Sequence, residues 1–118
     1  MNQSEKRLFL IRSLLKEKPE YRDLRIPAEP ESQRQLLRGL MNVRVPQRID
    51  AEFLKTQDAY LQGENATKGV TDVTALVPVQ PGLYLWQGDI TTLKCDAIVN
   101  AANSGMTGCY IPNHRCID

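Results

Sequence analysis

The chain has 118 residues, 42% apolar and 25% charged, with fifteen basic and fourteen acidic side chains and a formal net charge of +1. That balance excludes a global field suited to nucleic acid or an acidic membrane surface. Apolar runs of only a few residues exclude a membrane-spanning segment. Three cysteines, an odd count behind an N-terminus with no basic and apolar signal regions, predict a cytoplasmic protein whose thiols serve metal or chemistry rather than a disulfide framework.

Residues 1–68 read as a helical segment. Leu8, Ile11, Leu14 and Leu15 recur at helical spacing behind Ser4, a candidate N-cap, and Pro19 closes the first pattern. Leu36, Leu37, Leu40 and Met41 share one face of a second helix that follows Pro30. A third begins at Asp50, carries Phe53, Leu54, Tyr60 and Leu61, and meets a stop signal at Gly63. Short amphipathic helices must bury their stripes on one another or on a following domain. The charges among them, such as Lys16-Glu17-Lys18, read as a solvated face.

From residue 69 onward β-formers dominate. Leu83-Tyr84-Leu85-Trp86-Gln87 reads as a strand entered through a Pro81-Gly82 turn, and Asp96-Ala97-Ile98-Val99-Asn100 as a second strand, apolar enough for burial in a parallel sheet. Asp89 to Lys94 is long enough for one helical turn between them. A strand, a tight connection, a buried strand and a Gly-containing loop are how an α/β ligand site begins.

Three groups of residues carry chemistry. Cys109, His114 and Cys116 form a Cys-x4-His-x-Cys cluster stiffened by Pro112 and containing the chain's single histidine. Thiolate and imidazole are preferred ligands of zinc, and three protein ligands leave a fourth position open, as in catalytic zinc sites. The competing readings are buried small cysteines beside a loop histidine, or a Cys–His nucleophile pair. Asn100 and Asn103 lie at the C-terminal end of the second predicted strand, where α/β sheets bind ligands; they equally suit loop caps made by side-chain-to-backbone bonds. Asp89, after Gly88, can accept from an exocyclic amine or cap the next turn.

Taken together, Gly88-Asp89-Ile90-Thr91 and Asp96-Ala97-Ile98-Val99-Asn100-Ala101-Ala102-Asn103-Ser104 resemble the opening of a macrodomain, an ADP-ribose-recognising α/β/α fold. The following Met106–Asp118 stretch is similar to the zinc-dependent branch of bacterial macrodomains, which also carry a helical N-terminal extension. The resemblance implies an α/β protein in which residues 1–68 form that extension and residues 69–118 the first part of a three-layer domain. It implies hydrolysis of mono-ADP-ribose from modified protein side chains, with zinc as cofactor and an ADP-ribosylated protein, a lipoyl-carrier protein among the candidates, as partner. Asp89 and Ile90 would bind the adenine end, and Asn103 would orient the distal ribose. Cys109, His114 and Cys116 would hold zinc, and Asp118 would act as base or electrostatic partner. About two or three strands fit into residues 69–118, so the expectation is a truncated piece of a longer enzyme, inactive by itself. The alternative is a non-catalytic ADP-ribose-binding or zinc-stabilised interaction module.

Overall fold

The computed structural model describes residues 1–115 and is helical in its N-terminal part, with a two-stranded sheet further on. Three helices, α1 (Gln3–Lys16), α2 (Pro30–Val43) and α3 (Ala51–Lys68), precede strands β1 (Thr71–Asp72) and β2 (Leu93–Lys94). The chain divides into two compact units, one of Met1–Tyr60 with Asn100–Asp118 and the other of Leu61–Val99.

In the first unit, α1 starts two residues earlier than the Ser4 cap predicts. Asn2 Oδ1 accepts from the Glu5 amide at 2.9 Å, and Glu5 Oε2 accepts from the Asn2 amide at 2.8 Å. This reciprocal box satisfies two amides that the first turn leaves without partners. Ser4 Oγ is thereby left to accept from Arg7 Nη2 at 3.0 Å. Leu10, Ile11 and Leu14 of α1, Leu37 and Leu40 of α2, and Phe53 and Tyr60 of α3 form the core. The α2 face is the one that periodicity predicts. On α1 the buried stripe is rotated towards Leu10 and takes in Arg7, which is 3% exposed. Leu54 and Leu61, predicted on the α3 face, are exposed.

Gly63 does not stop α3, which runs on to Lys68. Gly69 ends it at φ +95°, with its amide bonded to the Asn65 carbonyl at 3.0 Å. Glycine enters the left-handed region without the Cβ clash that bars most residues, which is what a helix C-terminus needs. Glu17, expected on a solvated face, is instead held by Arg44, whose Nε and Nη2 donate to its two oxygens at 2.9 and 3.0 Å. The same guanidinium reaches the Arg48 carbonyl at 3.0 Å and so fastens the connection after α2 to the end of α1.

In the second unit, β1 and β2 pair in parallel, Thr71 with Leu93 and Asp72 with Lys94. Both predicted strands are corrected. Among the described residues, Leu83–Gln87 shows one isolated bridge, between Leu83 and Gln80, and Asp96–Asn100 lies in irregular structure. Leu85 and Val99 are 83% and 90% exposed, so the apolar character that suggested buried strands is on the surface. The predicted helical turn after Asp89 is present as a 3₁₀ turn, Ile90–Thr92. A chain of helices followed by a small parallel sheet is compatible with part of an α/β fold.

Candidate functional site

Two short loops carry the sequence-predicted residues, one in each unit. In Leu61–Val99 the loop is built on Asp89. Its Oδ1 accepts from the Thr91 amide at 3.0 Å and from Thr91 Oγ1 at 2.6 Å, and its Oδ2 from Lys68 Nζ at 3.2 Å. The Thr91 hydroxyl and amide, and then Lys68, hold the Asp89 carboxyl below its ordinary 3.8, because each stabilises the charged form. Asp89 is therefore an ionised acceptor throughout the neutral range. Asp72 makes the same cap on a separate 3₁₀ turn, Val73–Ala75, accepting from Thr74 N and Oγ1 at 3.0 and 2.8 Å, and its carboxyl pKa too is lowered, first by the Thr74 hydroxyl. The two segments read Asp72-Val73-Thr74 and Asp89-Ile90-Thr91. That shared spacing was the available signal for Asp72, which sequence reasoning missed. Lys68 was also missed, since nothing local ties it to Asp89.

Beside Asp89 a cleft of about 380 Å³ is lined by Gly88 together with Val73, Leu76, Tyr84, Trp86, Ile90 and Leu93. A Cβ on Gly88 would lie 2.5 Å from Trp86 Cζ2, closer than real Cβ contacts come, so the indole must move. Gly88→Ala is accordingly expected to shift the emission maximum of Trp86, the single tryptophan of the chain. Unchanged emission refutes this packing.

In the other unit, Asn103 closes the loop that bears Cys109. Its Oδ1 accepts from the amides of Gly105 and Met106 at 2.9 and 3.1 Å, and its Nδ2 donates to the Gly108 carbonyl at 3.0 Å. Both carbonyl lone pairs are thus used and one N–H remains for a further acceptor. Met106, Gly108 and Tyr110 all take positive φ, at 58°, 78° and 59°. For the two that are not glycine this stores roughly 1–2 kcal/mol each. Tyr110 Oη and Thr107 Oγ1, 2.8 Å apart, brace the strained stretch.

Cys109 and His114 are both exposed on this loop. Residues Ile111–His114 form a turn closed by the His114 amide on the Ile111 carbonyl at 3.2 Å, with Pro112 presetting its second position. Among the described residues no three metal-binding side chains come together. Cys116, the third donor of the sequence reading, lies outside the described residues, as do Ile117 and Asp118. A thiol and an imidazole in one exposed, turn-stiffened loop match the donor chemistry that zinc prefers. Asn100 is exposed. Asp89 and Ile90 belong to one unit and Asn103, Cys109 and His114 to the other.

No protein-family model matches the chain. Along its whole length it is 54% identical, over 122 residues, to a protein-ADP-ribose hydrolase of Treponema medium, 47% of which it covers. It is 45% identical over 111 residues, 93% of its own length, to a protein-ADP-ribose hydrolase of Staphylococcus aureus strain MRSA252, covering 41% of that protein. A probable bifunctional ADP-ribose hydrolase/ADP-ribosyltransferase of Fusarium oxysporum f. sp. cubense is 39% identical over 101 residues. No helix among the described residues is long and apolar enough to cross a membrane. The chain is thus similar from end to end to proteins named protein-ADP-ribose hydrolase, and it spans less than half the length of the curated relatives it matches.

Proposed function

We propose that this chain is the part of a protein-ADP-ribose hydrolase that carries the adenine-side contact and the zinc ligands, within a macrodomain fold. The observation that carries the reading is 54% identity along the entire chain to a protein of that name. The acceptor state of Asp89 and the Cys109–His114 loop support it.

The roles follow from the hydrogen-bonding capacity of each side chain. Asp89 spends Oδ1 on Thr91, but its Oδ2 is engaged by Lys68, in a surface ion pair whose members are 56% and 47% exposed. Such pairs are worth little and exchange readily, so Oδ2 can accept from the adenine amine. Ile90 contributes its backbone beside that contact. Asn103 donates its remaining N–H to a hydroxyl of the distal ribose, which orients the ring for reaction. Cys109, His114 and Cys116 would hold zinc, and Asp118 would serve as base or electrostatic partner. Zinc, when bound, supplies a Lewis acid that polarises a ribose hydroxyl or the scissile oxygen and acidifies bound water. The partner is a mono-ADP-ribosylated protein, with lipoyl-carrier proteins the first class to test.

The decisive experiment is release of ADP-ribose from a mono-ADP-ribosylated protein by the full-length enzyme of which this chain is the proposed part, itself expected to be inactive alone, with and without a chelator. Loss on chelation and recovery on adding zinc is the expected result. Release indifferent to chelators overturns the zinc assignment, and ADP-ribose binding without release replaces the hydrolase by a binding module.

Asp89 gives a separate prediction. Asp89→Ala is expected to weaken ADP-ribose binding about tenfold, in line with losing a hydrogen bond to a charged acceptor. Binding by the unaltered chain is expected to be flat from about pH 8 to pH 5. With its pKa lowered, the carboxylate stays an acceptor there and loses that capacity only as pH falls through the lowered value. Titration followed by Trp86 fluorescence checks both. Binding that falls away between pH 7 and pH 5 removes Asp89 from the site.

A further inference from the structure

The helical segment does more than precede the loop that carries Cys109 and His114. Asn42, in the last turn of α2, directs its Nδ2 at three acceptors of that loop, the carbonyls of Pro112 at 2.9 Å, His114 at 3.1 Å and Ile111 at 3.4 Å. An amide nitrogen has two hydrogens, so two of these bonds are well formed and the long one to Ile111 is shared. The Ile111 carbonyl already closes the turn by accepting from the His114 amide at 3.2 Å. One side chain therefore holds both ends of the turn on which His114 sits. The base of this clamp is rigid, because Leu37 and Leu40 of the same helix are buried in the core. Cys109 lies just before the clamped turn, and Met41 and Asn42 face Gly108, Cys109 and Tyr110 across a cavity of about 50 Å³.

We infer that Asn42 is a positioning residue for metal binding: it presets the Cys109–His114 loop from α2 and touches neither metal nor substrate. The inference rests on the zinc reading above. Its physical basis is pre-organisation. A loop with Tyr110 at φ 59° resists its ligand-presenting conformation when left to itself, and every conformer it samples besides that one weakens binding. Removing the donor should thus lower metal affinity through loop disorder while leaving the ligands and the helical core in place.

The test uses the full chain. Asn42→Leu removes the donor at nearly constant shape, and Asn42→Asp turns a carboxylate towards three carbonyl oxygens. Zinc affinity is read by chelator competition, and the thiolate-to-cobalt band of the Co²⁺ form reports ligation by Cys109. Exchange of the His114 amide, whose acceptor is the Ile111 carbonyl, reports the turn without metal. Zinc affinity should fall about tenfold in Asn42→Leu and further in Asn42→Asp, and metal-free exchange at His114 should quicken about fivefold. Helical circular dichroism should melt as before in Asn42→Leu. Unchanged zinc affinity in both variants overturns the inference. If the unaltered chain binds no zinc, the zinc reading fails by itself. Exchange at His114 then still decides the clamp, which unchanged protection in both variants overturns.

Discussion

Gln33→Leu is expected to destabilise the helical unit by about 3 kcal/mol, although leucine is the more apolar residue and Gln33 lies in the interior. The reason is Arg7. This guanidinium is 3% exposed, and among the described residues no carboxylate pairs with it. Its Nε donates to Gln33 Oε1 at 2.9 Å and its Nη2 to Ser4 Oγ at 3.0 Å. Gln33 Nε2 in turn donates to the Pro27 carbonyl at 2.7 Å, which fastens the approach to α2. Leucine would leave the buried cation without its main acceptor, and stranding one partner of a buried charged interaction costs about 3–5 kcal/mol. Arg7→Met should cost less, about 1–2 kcal/mol, because it strands a neutral oxygen instead of a charge. The double variant Arg7→Met with Gln33→Leu removes both and should be more stable than Gln33→Leu alone. Urea unfolding followed by helical circular dichroism measures all three. Strict additivity, or a Gln33→Leu variant as stable as the unaltered chain, would show that the guanidinium is not committed to Gln33.

That pair also marks where sequence reading stops. The face of α2 was legible because Leu37 and Leu40 obey helical spacing and are buried. Arg7 and Gln33 were not, because apolar periodicity passes over polar residues, and their mutual satisfaction depends on α1 packing against α2. The cap of α1 was misread for a related reason. Both Asn2 and Ser4 are good caps, and the choice falls to Asn2, whose box is completed by Glu5. In the β-rich segment, composition was read as structure. Leu83–Gln87 and Asp96–Asn100 have strand-forming side chains, but a strand exists through its hydrogen-bonded neighbour, which lies elsewhere in the chain. The pairing observed joins Thr71–Asp72 to Leu93–Lys94, residues whose own composition singles out nothing.

The candidate site shows the same division. Asp89 and Asn103 each had two readings from sequence, as ligand contact or as loop cap. In the structure both cap, Asp89 through Thr91 and Asn103 through Gly105 and Met106. Capping does not use up either side chain, and the capacity left over is what the proposed contacts draw on. Lys68 and Asn42 were invisible because their partners stand 21 and up to 72 residues away in sequence. Such pairings are products of the fold and leave no local signature.

Cys109→Ser is expected to lower zinc affinity by at least about a hundredfold, the second of the two largest effects. The substitution removes one sulfur and changes nothing else in the loop's size. A thiol ligates zinc as thiolate, a soft and charged donor, whereas a serine hydroxyl stays neutral and is a poor ligand in ordinary conditions. With three donors in the proposed set, losing one leaves His114 and Cys116, too few to hold the ion in competition with water. Cys109 is exposed, so the helical core should melt at the same temperature, which separates loss of binding from loss of fold. Cobalt substitution gives the second readout: the thiolate charge-transfer band should weaken in Cys109→Ser and vanish when Cys116 is replaced as well. A Cys109→Ser variant that binds zinc like the unaltered chain would move the metal away from this loop. It would leave Cys109 as an exposed thiol beside a strained turn, and the strain at Met106 and Tyr110 would then need another cause.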